Sequence, residues 1–468
     1  MLLGGALWNA GAVAQTQADQ DKDLDLIPKA VQQETTNTRV AAPKAIDTAS
    51  RLYLENAFSV TSLRDQPVVP APGPRPFNWQ ERSFLDVRKQ WRLARPLTFT
   101  YSGRVNFRAE DDLSFPTHEN VINDLREAYL GWHPWDRTYF DLGRINLKSG
   151  VALGYNPTDF FRTRSVVEPL SADPTVLRED RLGTLMLQAQ QLVEGGSLTV
   201  AFAPKLYDPS PIYTNIDLPS VDPMLDRTNA QNRFLAKGSL NIGERFSPEL
   251  LVYREGSQTR FGTNLAESFG QKWVAYLEWS GGRRASLVDD ALRYGRDTGT
   301  LPAHAPGVIP ESSHESFQNE LAIGASYTTE SRITFNLEYH LNQAGFTQAD
   351  WRNWFAAGHD GRPVASPIVG ELWYLRNYAL DQQQPTGKHS AFLRADWVDA
   401  FIPKLELTGF VNVDLYDGSG LLQISADYYL SDHWTVGGLV ATNFGRARSD
   451  FGSLAQAANF MFKVARYF

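Results

Sequence analysis

The end of the chain, residues 460–468, reads FMFKVARYF. In a strand these side chains form two faces, one carrying phenylalanine and valine and the other carrying Lys463 and Tyr467. Arg466 interrupts the apolar face near its tip, where a long side chain reaches the lipid headgroups. An amphipathic strand that ends on an aromatic residue, Phe468, is typical of bacterial outer-membrane β-barrels. An edge strand of a soluble sheet is the alternative.

Length and composition narrow the fold class. A chain of 468 residues holds either two or three soluble domains or one large barrel. Mean hydropathy is below zero and no apolar run reaches 18 residues, which excludes a helical membrane protein. The 12 Trp and 18 Tyr suit the interfacial girdles of a membrane barrel, with an aromatic-rich β-sandwich or sugar-binding protein as the alternative.

Several function classes are disfavoured. The sequence contains no cysteine, which removes disulfides, cysteine metal sites and thiol nucleophiles. The formal net charge of −8 argues against nucleic acid as a partner. The eight histidines are scattered, without a Gly-x-Ser-x-Gly or His-Glu-x-x-His motif. We therefore expect neither an enzyme nor a cofactor. His304, His314 and the acidic run Glu110–Asp112 are interpreted as solvated loop residues and not as metal ligands.

The first residues of the sequence resemble the remnant of a secretory signal peptide. Residues 1–14 are apolar and end in Ala12-Val13-Ala14, the pattern of a secretory signal peptide that lacks its basic first part. Residues 15–50 are polar and without periodicity, so we expect a flexible periplasmic segment. The barrel is predicted to cover residues 51–468.

Period-two alternation recurs from Arg51 onward in stretches of about ten residues, as in the strands of membrane barrels. It is clearest in residues 98–108 and 333–342. The connections alternate in length, as expected when short periplasmic turns follow long outer loops. The predicted long segments are 109–122, 149–180, 205–230, 282–315 and 343–387.

The strand count depends on the first hundred residues. Strands from residue 97 onward number about sixteen. Two further alternating stretches, near 52–60 and 85–93, look like one more hairpin, joined by the proline-rich outer loop 67–76. The prediction is therefore a transmembrane antiparallel up-and-down β-barrel of 18 strands, with 16 as the alternative and with long extracellular loops.

The longest outer loop carries aromatic residues with helical spacing, including Trp351, Trp354 and Trp373. Two interpretations remain open: a capping helix packed over or into the barrel mouth, or a helix that only packs on neighbouring loops.

One part of the sequence resembles a known family. The hairpin near 83–108, the strand around 125–130, the Gly143-Arg144 strand and a long loop that opens with Asn156-Pro157-Thr158-Asp159 are similar to the alginate-export family and related porin-like outer-membrane barrels of Gram-negative bacteria. The resemblance covers roughly residues 80–165 and Phe468. It implies an eighteen-stranded barrel with an inward-folded loop and a charged constriction.

Parity along the strands assigns charged side chains to the lumen. The early strands place basic residues there, and the late strands place acidic ones there on the opposite wall. The hypothesis is that the two walls produce a transverse field that selects polar or charged solutes; the alternative is that the charges pair within each wall. Arg126 is the exception, because the same parity places its charged side chain on the lipid-facing side of its strand. The predicted pore-lining and constriction residues are Arg88, Arg92, Arg104, Arg108, Arg144, Lys148, Asn156, Asp159, Glu338, Glu406 and Asp414.

The leading functional hypothesis is a porin or export pore in the bacterial outer membrane. Its expected partners are outer-membrane lipid and lipopolysaccharide, a polar or oligosaccharide-like solute, and periplasmic export proteins. A non-conducting barrel that docks a partner complex is the second hypothesis, and an outer-membrane hydrolase is the third.

Overall fold

The computed structural model describes most of the predicted barrel, in the residue ranges 50–68, 77–111, 120–167, 169–212, 222–242, 246–303, 309–311, 314–358 and 367–468. The predicted signal segment 1–14 lies outside the described residues. So does the predicted periplasmic segment 15–50, apart from Ser50.

The chain forms a closed barrel of 18 antiparallel strands in which each strand pairs with its sequence neighbours. The barrel closes where the first strand pairs with the last, with Tyr53 opposite Tyr467. The prediction of 18 strands is confirmed, because the amino-terminal hairpin joins the wall. The strands are β1 Ser50–Leu63, β2 Trp79–Ala94, β3 Leu97–Glu110, β4 Val121–Trp135, β5 Thr138–Ile145, β6 Thr184–Val193, β7 Gly196–Ala203, β8 Arg233–Leu240, β9 Glu249–Glu255, β10 Gln258–Phe269, β11 Trp273–Arg284, β12 Ser316–Thr328, β13 Ile333–Asn342, β14 His389–Trp397, β15 Leu405–Asp414, β16 Gly420–Ser431, β17 Trp434–Phe444 and β18 Gln456–Tyr467.

The connections differ between the two ends of the barrel. Short turns join β2 to β3, β4 to β5 and β6 to β7 at one end, and all five predicted long segments lie at the other. Long loops mark the extracellular end of a membrane barrel and short turns the periplasmic end. Both chain ends of the barrel, Ser50 and Phe468, therefore lie on the periplasmic side.

The outer wall is apolar and carries aromatic pairs near the periplasmic end. Trp91 stacks on Phe99 with ring centroids 5.7 Å apart. The guanidinium of Arg466 lies 5.3 Å from the ring centroid of Trp434 and 4.9 Å from that of Phe468. This cation–π contact explains how an arginine is accommodated on the lipid-facing side of the last strand. Among the described residues, no helix is long and apolar enough to cross a membrane.

Among the described residues, five α-helices lie in the outer loops: α1 Pro174–Glu179, α2 Leu225–Thr228, α3 Leu287–Asp297, α4 Gln348–Ala357 and α5 Pro367–Asp381. We call α3, α4 and α5 the cap. Their apolar faces share one buried core with Val68 and Ile212 of two other outer loops. At its centre Trp354 is fully buried, and its indole Nε1 donates to the backbone oxygen of Leu372 at 2.8 Å. The aromatic spacing in the sequence therefore marks a small extracellular core.

A β-bulge explains the parity conflict at Arg126. The pairing of β3 with β4 shifts between Ser102, which is opposite Glu127, and Gly103, which is opposite Leu125. Arg126 is the extra residue on the bulged strand, so its side chain turns into the lumen, where it is 3% exposed.

Candidate pore and constriction

The connection between β5 and β6, residues 146–183, folds into the lumen; we call it the inward loop. It contains a turn of 3-10 helix at Phe160–Arg162 and helix α1. Its side chains and backbone groups bond to the walls on opposite sides of the barrel. In a closed barrel of 18 strands, β3 and β12 are nine strands apart and so lie across from each other.

Two glutamates of the acidic wall hold the loop by its backbone. Glu278 on β11 accepts hydrogen bonds from the amides of Val151 and Ala152, the latter at 2.5 Å. Glu338 on β13 accepts from the amides of Leu153 at 2.7 Å and Gly154 at 2.9 Å. Four consecutive amides therefore bond to two buried carboxylates. Hydrogen bonds to an ionised group are among the stronger ones in proteins.

This contact depends on a glycine. Gly150 has a φ of +81°, and a Cβ placed there would lie 2.4 Å from a carboxylate oxygen of Glu278. A larger residue would push the loop away from the wall and would strain the backbone. Gly150 therefore permits the close approach of loop and wall.

The basic wall holds the other end of the loop. One carboxylate oxygen of Asp180 accepts from Arg104 at 2.9 Å and from Arg126 at 3.0 Å. Asp86 on β2, which is fully buried, lies between the same two arginines and also pairs with Arg51 at 3.0 Å. The network thus alternates acids and bases across the loop–wall contact.

A third tether fixes helix α1. Its N-cap residue, Asp173, accepts from the backbone amide of Thr175 at 2.9 Å and from Arg394 on β14 at 2.6 Å. Arg394 also bonds Asp396 on the same strand. The carboxylate of Asp173 therefore has two roles. It caps the start of helix α1, and its ion pair with Arg394 holds that end of the helix against the wall.

Inside the loop, three arginines surround one aspartate. Asp159 pairs with Arg181 at 2.9 Å and lies 3.5 Å from Arg178. Arg162 donates to the backbone oxygen of Asp159 at 3.2 Å and to the hydroxyl of Tyr155 at 3.1 Å. Burial lowers the pKa of Arg181, and the charge of Asp159 opposes that shift. Burial also raises the pKa of Tyr155.

The loop separates two cavities. The periplasmic vestibule, about 200 Å³, lies against the early strands and is lined by five basic and three acidic side chains. They are Arg51, Arg88, Arg126, Lys148 and Lys237, with Glu127, Asp141 and Glu179. The outer cavity, about 370 Å³, lies between the inward loop, the cap helix α5 and the walls of β14 and β15. Arg178 lines the outer cavity and the next residue, Glu179, lines the vestibule, so helix α1 lies between the two cavities.

The structure divides the predicted lining residues into two groups. Arg88 and Lys148 line the vestibule, and Arg92 is exposed near the periplasmic end of β2. Lys148 pairs with Glu179, whose side chain is 64% exposed. Among the described residues Arg88 forms no ion pair.

The remaining predicted residues are buried or bonded to other groups of the protein. Arg104 and Glu338 hold the inward loop as described, and each is at most 3% exposed. Arg144 donates to the backbone oxygens of Gly183 at 2.8 Å and of Pro223, so it joins two outer connections. The inward loop lies between the basic and the acidic wall, so the two walls do not face each other across open space here.

Five predicted residues have other surroundings. Asn156 and Asp159 belong to the inward loop and line the outer cavity together with Asp414. Arg108 lies 3.8 Å from Glu110 near the outer rim. Glu406, near the periplasmic end of β15, accepts from the hydroxyl of Tyr429 at 2.9 Å.

Sequence reasoning missed the acids that fix the loop. Asp86, Asp173 and Asp180 form the central ion pairs and Glu278 bonds the loop backbone, and none of the four is among the predicted lining residues. Asp86 alternates with apolar neighbours and was recognisable as lumen-facing. Nothing local marks Asp173 or Asp180. In the part of the chain that the structure describes, no group of three or more acids and histidines is arranged to hold a metal ion.

Comparison with known proteins yields fold likeness only. No family model matches the chain, and no curated protein matches it. Among solved structures, Pseudomonas aeruginosa OccK11 (OpdR) is 12% identical, with 90% of this chain and 95% of that chain covered and a TM-score of 0.49. P. aeruginosa OpdK with vanillate is 11% identical, covers 90% and 98%, and has a TM-score of 0.49. A Rhodopseudomonas blastica porin triple mutant is 10% identical, covers 90% and 99%, and has a TM-score of 0.39. These likenesses concern the barrel fold and assign no substrate to this chain.

Proposed function

We propose that this protein is an outer-membrane channel that passes a small polar or charged solute by diffusion past the inward loop. The observation that carries the proposal is the loop itself, tied to opposite walls and separating an outer cavity from a periplasmic vestibule. The ordered internal loop narrows a wide barrel, and charged side chains lie on both sides of it. Such a constriction restricts permeation to solutes of suitable size and charge.

The vestibule gives the proposed channel its ion preference. Five basic side chains face three acidic ones there, and Arg88 forms no ion pair among the described residues. Charged residues that line a pore attract ions of opposite sign and repel ions of like sign. The channel is therefore weakly anion-selective, and its selectivity depends on the residues that remain open to solvent, Arg88 and Lys148, and not on the buried Arg104 and Arg144.

The test is the reversal potential of Arg88→Glu in planar bilayers under a salt gradient. The expected result is a shift toward cation preference. Arg352→Glu, which makes the same charge change on the exposed face of cap helix α4, is the matched control and leaves the reversal potential unchanged. An unchanged potential in Arg88→Glu would place the selective region elsewhere.

One observation favours the alternative of a non-conducting docking barrel. The inward loop is bonded on both sides through buried ion pairs, which is also how a permanent plug would be fixed. A folded barrel that inserts into bilayers without conducting ions would support that function. Export of an alginate-like polymer is supported only by the sequence resemblance, and a lumen crossed by a tethered loop fits a small solute better than a polymer.

A further inference from the structure

The periplasmic end of β2 and the turn that follows it carry three arginines, Arg88, Arg92 and Arg95, which we call the basic track. Arg88 and Arg92 share the lumen-facing parity of the buried Asp86, and Arg88 lines the vestibule. Arg92 and Arg95 are exposed. The track therefore leads from the periplasmic rim into the vestibule.

This end of the wall has an excess of positive charge. Residues 50–54 and 87–103, which form the periplasmic ends of β1, β2 and β3, contain five basic residues and no acidic one. Among the described residues, the three arginines of the track form no ion pair. The lining of the vestibule keeps the same sign, with five basic side chains against three acidic ones. The track is therefore suited to an acidic partner on the periplasmic side.

The chain itself supplies an acidic partner, which we call the acidic run. Residues 19–25, which lie outside the described residues, read DQDKDLD and contain four aspartates and one lysine. The aspartates recur at every second position, so in an extended segment their carboxylates share one face. Asp21 and Asp25 are then separated by about 13 Å, the same spacing that Arg88 and Arg92 have along β2. The run and the track therefore match in sign and in repeat.

The acidic run is attached to the barrel beside the track. Ser50, the first described residue, is paired with Lys89 of β2, and its hydroxyl accepts from Nζ of Lys89 at 3.1 Å. Asp25 precedes Ser50 by 25 residues, a length of chain that spans at most about 80–90 Å. The run therefore reaches the track without full extension. A ligand tethered in this way acts at an effective concentration on the order of mM, so even weak exposed ion pairs hold it.

We propose that the acidic run docks on the basic track at the periplasmic mouth of its own barrel. Its aspartates pair with Arg88, Arg92 and Arg95, and the docked segment lies across the entrance of the vestibule. Docking brings negative charge to that entrance, so it lowers the passage of anions through the barrel. The contact itself requires no conduction, and only its effect on anions rests on the proposed channel function.

Disulfide trapping in the full-length, detergent-refolded protein tests the docking, because the sequence contains no cysteine of its own. Gln20→Cys lies within the acidic run, and Gln90→Cys lies between two arginines of the track on the lumen-facing side of β2, so every proposed charge stays in place. At low salt this pair is expected to cross-link roughly tenfold faster than Gln20→Cys with Ser431→Cys. Ser431 is the matched control, because it is exposed at the periplasmic end of β16, on the other side of β1.

Two changes are expected to abolish this preference. In about 1 M salt the Debye length falls to about 3 Å, so the exposed charges are screened. Replacement of all four aspartates of the run by asparagine removes the charges themselves. Equal cross-linking of the two pairs at low salt would overturn the proposal, and so would a preference that survives the asparagine replacements.

The effect on anions is measured separately, as the reversal potential in planar bilayers under a salt gradient. The variant with four asparagines is expected to shift it toward anion preference. Glu34→Gln combined with Asp47→Asn, which neutralises acids of the same segment outside the run, is the control. An equal shift in both would overturn docking on the track. A silent barrel that still cross-links preferentially refutes only the channel, and a conducting barrel without preferential cross-linking refutes only the docking.

Discussion

Replacement of Glu338 by glutamine is expected to loosen the inward loop while preserving the barrel. Glu338 accepts from the amides of Leu153 and Gly154, one on each carboxylate oxygen. A glutamine side chain has a single oxygen, so one of the two amides must face the side-chain NH₂ group. The variant therefore loses one charge-assisted hydrogen bond and turns the other into a weaker neutral one.

The size of the effect follows from the lost bond. A hydrogen bond to a charged group contributes about 1.5–3 kcal/mol. Since about 1.4 kcal/mol corresponds to a factor of ten, local opening of the loop becomes roughly 10- to 100-fold more frequent. Amide hydrogen exchange reports such local opening directly.

The assay is hydrogen exchange with mass spectrometry on peptides that cover residues 149–156. Faster exchange is expected there in Glu338→Gln, with unchanged exchange in the barrel strands. Glu406→Gln is the matched control, because Glu406 also faces the lumen but bonds Tyr429 and not the loop. If the loop peptides exchange at the wild-type rate in Glu338→Gln, the loop is held by other contacts and the reasoning fails.

Three further variants address the ion pairs, the cap and its pH response. Asp180→Ala leaves Asp86 as the one acidic partner of Arg104 and Arg126 among the described residues. It is expected to destabilise the protein by about 3–5 kcal/mol, measured as a lower midpoint temperature in heat-modifiable gel migration. Trp354→Ala removes the centre of the cap core at a cost of about 3–5 kcal/mol, so proteases should cut the outer loops while the strands stay intact. Burial raises the pKa of Tyr294 to about 12, so the folded cap keeps a proton that the unfolded chain releases near pH 10. Stability of the cap therefore falls as the pH rises from about 10 to 12, and Tyr294→Phe flattens that fall in fluorescence-monitored unfolding.

The barrel was predictable because its signals are local. Period-two alternation and the switch between short and long connections follow from strand geometry and from the two ends of the membrane. Helical aromatic spacing around Trp354 likewise marks the cap. In the sequence the bulge at Arg126 appeared only as a charged residue on the lipid-facing side of its strand. An extra residue shifts the strand pairing without changing the alternation on either side of it, so the alternation does not reveal the bulge.

The site was less predictable because its contacts are distant in the sequence. The acidic wall was recognisable from parity, but Glu278 meets the amide of Val151 across 127 positions, and Glu338 meets Gly154 across 184. Parity says which way a side chain points and nothing about what lies in front of it. For this reason parity placed Arg104 and Glu338 in the lumen but did not reveal that both hold the inward loop.

If the inward loop leaves part of the lumen open, ions pass through the barrel. Single-channel recording of the refolded wild-type protein in planar bilayers tests this most directly. Stable open steps with a reversal potential that indicates weak anion preference are the predicted result. A barrel that shows heat-modifiable migration, inserts into the bilayer and passes no ions would contradict the account, because the inward loop would then be a plug.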